Sequence, residues 1–111
     1  ASFTSSVLWG ALASSGDADG HPTSQARLAS PSGLVLAQSF IFLADTGNGK
    51  VRVLSMQSNL VFTIASGFSE PKSMVLAGAE LLVADAAAGY ISRLPVNFNT
   101  LEISTVVSAG T

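Results

Sequence analysis

Residues Pro31 to Asn59 read PSGLVLAQSFIFLADTGNGKVRVLSMQSN, and Pro71 to Asn99 read PKSMVLAGAELLVADAAAGYISRLPVNFN. Laid over each other at an offset of 40, the two stretches agree at nine of 29 positions. These are Pro31/Pro71, Val35/Val75, Leu36/Leu76, Ala37/Ala77, Ala44/Ala84, Asp45/Asp85, Gly49/Gly89, Leu54/Leu94 and Asn59/Asn99. Other pairs keep apolar character, among them Leu34/Met74, Phe42/Leu82, Leu43/Val83 and Val51/Ile91. Beyond Asn99 the second copy gains two residues, and then Val61-Phe62-Thr63-Ile64 aligns with Ile103-Ser104-Thr105-Val106. A repeat of this length is either a pair of helices or a small sheet.

The segments decide for sheet. They are short, rich in Val, Ile, Leu, Phe and Thr, and bounded by Gly, Asn, Pro and Ser. None carries an apolar stripe at helical spacing over ten residues. Each unit reads as four strands. In the first unit these are Gly33–Ala37, Phe40–Ala44, Lys50–Ser55 and Leu60–Ala65. In the second they are Met74–Ala77, Glu80–Ala84, Tyr90–Leu94 and Leu101–Ser108. A lone strand, Ser5–Leu12, precedes them. The first two strands of the first unit, Leu34-Val35-Leu36-Ala37 and Phe40-Ile41-Phe42-Leu43-Ala44, are nearly unbroken apolar runs. Strands read this way when both faces are covered. Asn48-Gly49 is a tight-hairpin signal between the second and third strands, since both residues tolerate positive φ. Pro31 and Pro71 stand where a missing N–H costs no ladder bond.

Composition narrows the functional classes. The chain has 111 residues, 48% of them apolar and 11% charged, against roughly 25% charged in an average soluble domain. Its five basic residues, Arg27, Lys50, Arg52, Lys72 and Arg93, are scattered and the net charge is −2. Phosphate neutralisation needs clustered cations, so nucleic acid is not an expected partner. No apolar run approaches the ~20 residues of a membrane span, and membrane insertion is not expected. The absence of cysteine excludes disulfides, thiolate metal sites and a Cys nucleophile. Low charge and abundant Ser and Ala favour an extracellular or cell-surface setting.

The stretch Ala18-Asp19-Gly20, then Gln25-Ala26-Arg27-Leu28, Pro31-Ser32-Gly33-Leu34 and Phe42-Leu43-Ala44-Asp45-Thr46-Gly47-Asn48-Gly49-Lys50-Val51-Arg52-Val53 resembles the NHL repeat family. The second copy departs from the family pattern. Ala86-Ala87-Ala88 replace Thr-Gly-Asn, and Ser92 replaces the Arg. The resemblance implies an all-β fold of four-stranded antiparallel propeller blades, about two and a quarter of them. Residues 1–15 would give the outer strand of a preceding blade, 16–69 one blade, and 70–111 a second, degenerate blade. Such a piece cannot close a ring of ~4–8 blades, and each blade buries its faces on its neighbours. The expected partner is therefore protein, as further blades of a longer chain or as further copies. Three copies would supply six blades.

No catalytic set emerges. Asp45 and Asp85 are repeat-equivalent, and each is expected to accept backbone N–H groups of its own hairpin. Asn48, Gly49 and Gly89 are the other turn residues. Asp17-Ala18-Asp19-Gly20 begins like a calcium loop but lacks the later ligands and reads as a turn. His21 is the only histidine, too few for the metal-dependent lyase site that some NHL propellers carry, so neither metal nor cofactor is expected. Phe68, Phe98 and Trp9 are the candidate partner contacts, because aromatics are enriched at binding hot spots. The sequence points to a non-catalytic propeller module for protein–protein interaction or structural assembly, such as an extracellular filament or surface component. The alternative is a fragment of a propeller enzyme, of lyase or lactonase type, with its active site in other blades.

Overall fold

Alternation and turn chemistry place the strands. The computed structural model describes residues 5–10, 15–100, 102–103 and 107–109. Sheet 1 is β1 (Pro31–Ala37), β2 (Phe40–Asp45), β3 (Lys50–Ser55) and β4 (Leu60–Ala65), in the antiparallel order β1-β2-β3-β4. Sheet 2 is β5 (Pro71–Ala77), β6 (Glu80–Asp85) and β7 (Tyr90–Asn97). The short strands β8 (Glu102–Ile103) and β9 (Val107–Ala109) both pair with β7, at different points along it. They divide the expected fourth strand, of which residues 101 and 104–106 lie outside the described residues. The fold is all-β, with two antiparallel sheets and no α-helix among the described residues. Neither sheet closes on itself.

The forty-residue offset holds in three dimensions, pair by pair. Val35 faces Phe42 and Val75 faces Leu82; Ile41 faces Leu54 and Leu81 faces Leu94. Both first strands carry the same bulge, between Pro31 and Leu34 and between Pro71 and Met74. Met56 N donates to Ser39 O in one sheet, and Val96 N to Ala79 O in the other. Each proline opens its strand as the first residue, two or three positions earlier than the sequence suggested, because the bulge absorbs the position without a donor.

Two expectations need correction. The lone strand Ser5–Leu12 does not form over residues 5–10, which are irregular; 11 and 12 lie outside the described residues. Gly10 N donates to Pro22 O at 2.7 Å, and Trp9 packs against Ala26, Leu54 and Val61. The segment therefore lies over a sheet face and does not extend an edge. The Asn48-Gly49 hairpin also differs. Thr46–Asn48 make one 3₁₀ turn, and only Gly49 takes the left-handed conformation, at φ 64°. A Cβ at Gly49 would collide with the Phe68 carbonyl oxygen. The register of β2 on β3, closing with Asp45 opposite Lys50, leaves four loop residues, too many for a two-residue turn.

The sheets stack face to face. Phe42, Ala44, Val51 and Val53 of sheet 1 meet Met74, Leu81, Val83 and Leu94 of sheet 2 in one buried cluster. Strand alternation explains the choice: in each strand every second residue points to the joint. The inner strands β1 and β5 come closest at Gly33, where a Cβ would overlap the Lys72 carbonyl oxygen. Ser32 and Thr46 bind this end of the joint through their hydroxyls. Ser32 Oγ lies 2.7 Å from Thr46 Oγ1 and donates to Lys72 O at 3.1 Å, and Thr46 Oγ1 donates to Pro71 O at 2.5 Å.

Candidate functional site: two open sheet faces and a carboxylate-clamped strap

The joint uses one face of each sheet, which leaves two faces without a sheet against them. On sheet 1 the free face shows Leu34 and Leu36, each 64% exposed. With Pro31, Ile41, Leu43 and the segment around Leu8 and Trp9 they line an apolar groove of about 450 Å³. On sheet 2 the free face shows Val75, 58% exposed, and Ile91, 50% exposed. Leu82 and Ala84 complete a shallower apolar hollow of about 140 Å³. Single exposed apolar residues are ordinary, but contiguous apolar surface on a sheet face marks a place where other matter packs.

The outer half of the sheet 1 face is covered by the chain itself. Residues 16–28 form a strap, with backbone bridges from Ala18 to Arg27 and from Gly20 to Val61 of β4. Charge fastens it. Arg52, on β3, has its side chain 1% exposed and is met by three carboxylates. Its Nε donates to Asp45 Oδ2 at 2.6 Å, one terminal nitrogen donates to Asp19 Oδ1 at 2.7 Å, and the other to Asp17. Lys50 Nζ reaches Asp17 at 2.8 Å, Thr63 bonds Asp19 through both N and Oγ1, and Asn48 Nδ2 donates to Gly16 O at 2.6 Å. Burial disfavours the Arg52 cation, yet the hydrogen bonds it donates to Asp45, Asp17 and Asp19 outweigh it and hold the group above its ordinary range. Bonds from Lys50 and then Arg52 hold the Asp17 carboxyl below its ordinary range. These acids are thus committed to cations and hydroxyls. Among the described residues no group of three or more His, Asp or Glu is placed to hold a metal ion.

The expected turn residues separate. Asp85 accepts Ala88 N–H in its own hairpin at 3.1 Å, and Ser69 and Glu70 N–H from the preceding loop at 2.9 Å each. Asp45 accepts no backbone N–H of its own turn. It takes Ala29 N–H at 2.8 Å, the Asn48 side-chain amide at 2.9 Å, and Arg52. Gly89 takes positive φ at 82°, like Gly49. His21 lies at a turn, its Nδ1 accepting Thr23 and Ser24 N–H at 3.3 Å.

The three aromatic candidates are half-buried in the molecule's own packing. Phe98 lies 6.2 Å from Phe40 and 6.1 Å from Phe42, the latter edge-on, and Phe68 packs on the cluster between the sheets. Both loops fold inward because the end of the joint is apolar and needs covering. Trp9 fills the outer face of sheet 1, and its Nε1 is buried without an acceptor. The large apolar side chains at least half exposed are instead Leu8 and the strand residues Leu34, Leu36, Val75 and Ile91. Sequence reasoning expected a blade face without a neighbour at each end of the chain but named none of these residues as contacts. It also missed the Arg52 clamp. Its signal was an Arg between the apolar Val51 and Val53, with Asp17 and Asp19 read only as part of a turn.

A scan against protein-family models finds no match to this chain, and a comparison with curated proteins finds none either.

Proposed function

We propose that the chain is a pair of NHL-type propeller blades acting as a non-catalytic assembly module, its two outer sheet faces covered by further protein. One observation carries this reading: the two sheets repeat register for register, stack through unlike faces, and leave one apolar face of each kind open. Stacked repeats bury their faces only on neighbours, and terminal repeats need polar outer surfaces to stand alone. Leu34 and Leu36 on one end, and Val75 and Ile91 on the other, do not provide such surfaces. The NHL assignment is supported by the Ala44-Asp45-Thr46-Gly47-Asn48 motif and by the four-strand order of sheet 1.

The test is light scattering on the isolated chain, with binding of the hydrophobic dye ANS measured in parallel. Self-association, or a folded monomer that binds ANS, supports the module. A folded monomer that binds no ANS overturns it.

A further inference from the structure

We infer that the partner is a second copy of this chain, joined head to tail: the free face of sheet 2 in one molecule covers the free face of sheet 1 in the next. The inference rests on the assembly reading and names its occupant.

The template is the joint already inside the molecule. There, sheet 1 contributes Val35, Phe42, Ala44 and Val51. Their forty-residue equivalents, Val75, Leu82, Ala84 and Ile91, form the free face of sheet 2. Sheet 2 contributes Met74, Leu76, Leu81 and Val83 to the joint. Their equivalents, Leu34, Leu36, Ile41 and Leu43, line the groove on the free face of sheet 1. All eight free positions are apolar. A second molecule placed on the first as sheet 2 sits on sheet 1 therefore brings apolar strands into the arrangement the fold already uses. The contact joins unlike faces, so it is heterologous and continues into a ring or a chain of copies. A symmetric contact of Leu34 and Leu36 with themselves has no such precedent in the molecule.

The second joint differs from the first at three places, and each has a consequence. Glu80 and Arg93 stand at the positions of Phe40 and Val53 and pair with each other at 2.9 Å. Val53 is fully buried in the first joint, so the second joint encloses an ion pair where the first has apolar side chains, and this weakens it. Trp9 already packs on Leu54, the equivalent of Leu94, and lines the groove together with Ile41, the equivalent of Leu81. It supplies from the receiving side aromatic volume that Phe40 and Phe42 supply from the covering side within the molecule. Ser73 stands where Gly33 allows the backbones to touch. The second joint is therefore wider at that end and weaker than the first.

The experiment uses the full 111-residue chain and two paired variants, Leu34→Glu with Leu36→Glu, and Val75→Glu with Ile91→Glu. These side chains are at least half exposed in the single molecule, so circular dichroism should retain the β-sheet spectrum. Where a pair loses it, the single variants Leu36→Ser and Val75→Ser replace it, with a dissociation constant raised at least tenfold. Sedimentation equilibrium is expected to give multiples of the 11.3 kDa chain for the wild type and monomers for each paired variant. Mixing the two variants is expected to give a one-to-one dimer that grows no further, since each retains one intact face. Ser73→Gly, which restores the close approach, is expected to tighten association several-fold. Self-association by either paired variant alone, no dimer on mixing, or no tightening by Ser73→Gly would overturn the inference. A wild-type monomer that binds ANS sinks the second copy but leaves the assembly reading; a monomer that binds none sinks both.

Discussion

Arg52 Nε donates to Asp45 Oδ2 at 2.6 Å, and the two side chains are 1% and 0% exposed. Removing one partner of a buried pair leaves the other charged and uncompensated, at a cost of about 3–5 kcal/mol. Arg52→Met also releases Asp19 and Asp17 from the same guanidinium. It is expected to lower the unfolding free energy in urea by about 3–5 kcal/mol. Arg52→Lys should recover only part of this, since an ammonium cannot span three carboxylates as the planar fork does. Equal stability of the Lys and wild-type proteins would show that the fork geometry is immaterial.

Asp85, the equivalent of Asp45, has Ser92 where Asp45 has Arg52. Its charge is met by backbone N–H groups of Ser69, Glu70 and Ala88. Burial pushes this carboxyl up, but those bonds pull it further down, and it rests below its ordinary range. A group that titrates lower when folded contributes stability in full above its unfolded pKa, about 3.9. That contribution is lost as pH falls through the folded value. Unfolding free energy is thus expected to be level from neutrality to about pH 5 and to fall below about pH 4. Asp85→Asn should cost about 2 kcal/mol at pH 7 and flatten the acid limb. Denaturant titrations of both proteins at pH 7, 5 and 3 measure each effect.

Gly49 and Gly89 occupy equivalent turns with different demands. Both take positive φ, but a Cβ at Gly49 would strike the Phe68 carbonyl, whereas at Gly89 it meets nothing within 4 Å. Gly89→Ala should cost the conformational penalty alone, about 1 kcal/mol. Gly49→Ala should cost clearly more, about 2 kcal/mol or above, because the collision adds to that penalty. Thermal or urea denaturation of the two variants side by side checks the order. A smaller loss at Gly49 would mean that the loop of Phe68 yields freely.

The strands were legible because short apolar, β-rich runs and turn residues are local signals. Lys50–Ser55 and Leu60–Ala65 fall where the sequence places them, and the offset of 40 reappears as matched registers. The misread features depend on distant chain. Arg52 looks like a surface cation until Asp17 and Asp19, more than thirty residues earlier in the chain, fold across β3. Ser5–Gly10 carries the short apolar run Val7-Leu8-Trp9 and reads as a strand, but it meets a sheet face and not an edge. Phe68 and Phe98 sit in loops, and only the stacking of two sheets turns those loops inward. Leu34 and Leu36 show the converse. Their continuous apolar run implies cover on both faces, and the covering layer is missing from one side.

Trp9 gives a direct reading of the strap. It is the only tryptophan, it packs against Ala26 in the strap and Leu54 and Val61 in sheet 1, and Gly10 beside it bonds to Pro22. The strap is clamped by Asp17 to Lys50 and Arg52. The bonds from Lys50 and then Arg52 hold the Asp17 carboxyl below its ordinary range, so the clamp is complete above about pH 4 and is lost as pH falls through the depressed value. Tryptophan emission is therefore expected to shift to the red below about pH 4, as the ring gains water, with the β-sheet circular dichroism signal lost later. Asp17→Asn removes the charge at every pH. Its emission at pH 7 should already lie towards that of the acid form, and its acid response should shrink. If Asp17→Asn fluoresces like the wild type at pH 7, then the bridges at Ala18 and Gly20 and the apolar contacts of Trp9 hold the strap without the ion pairs.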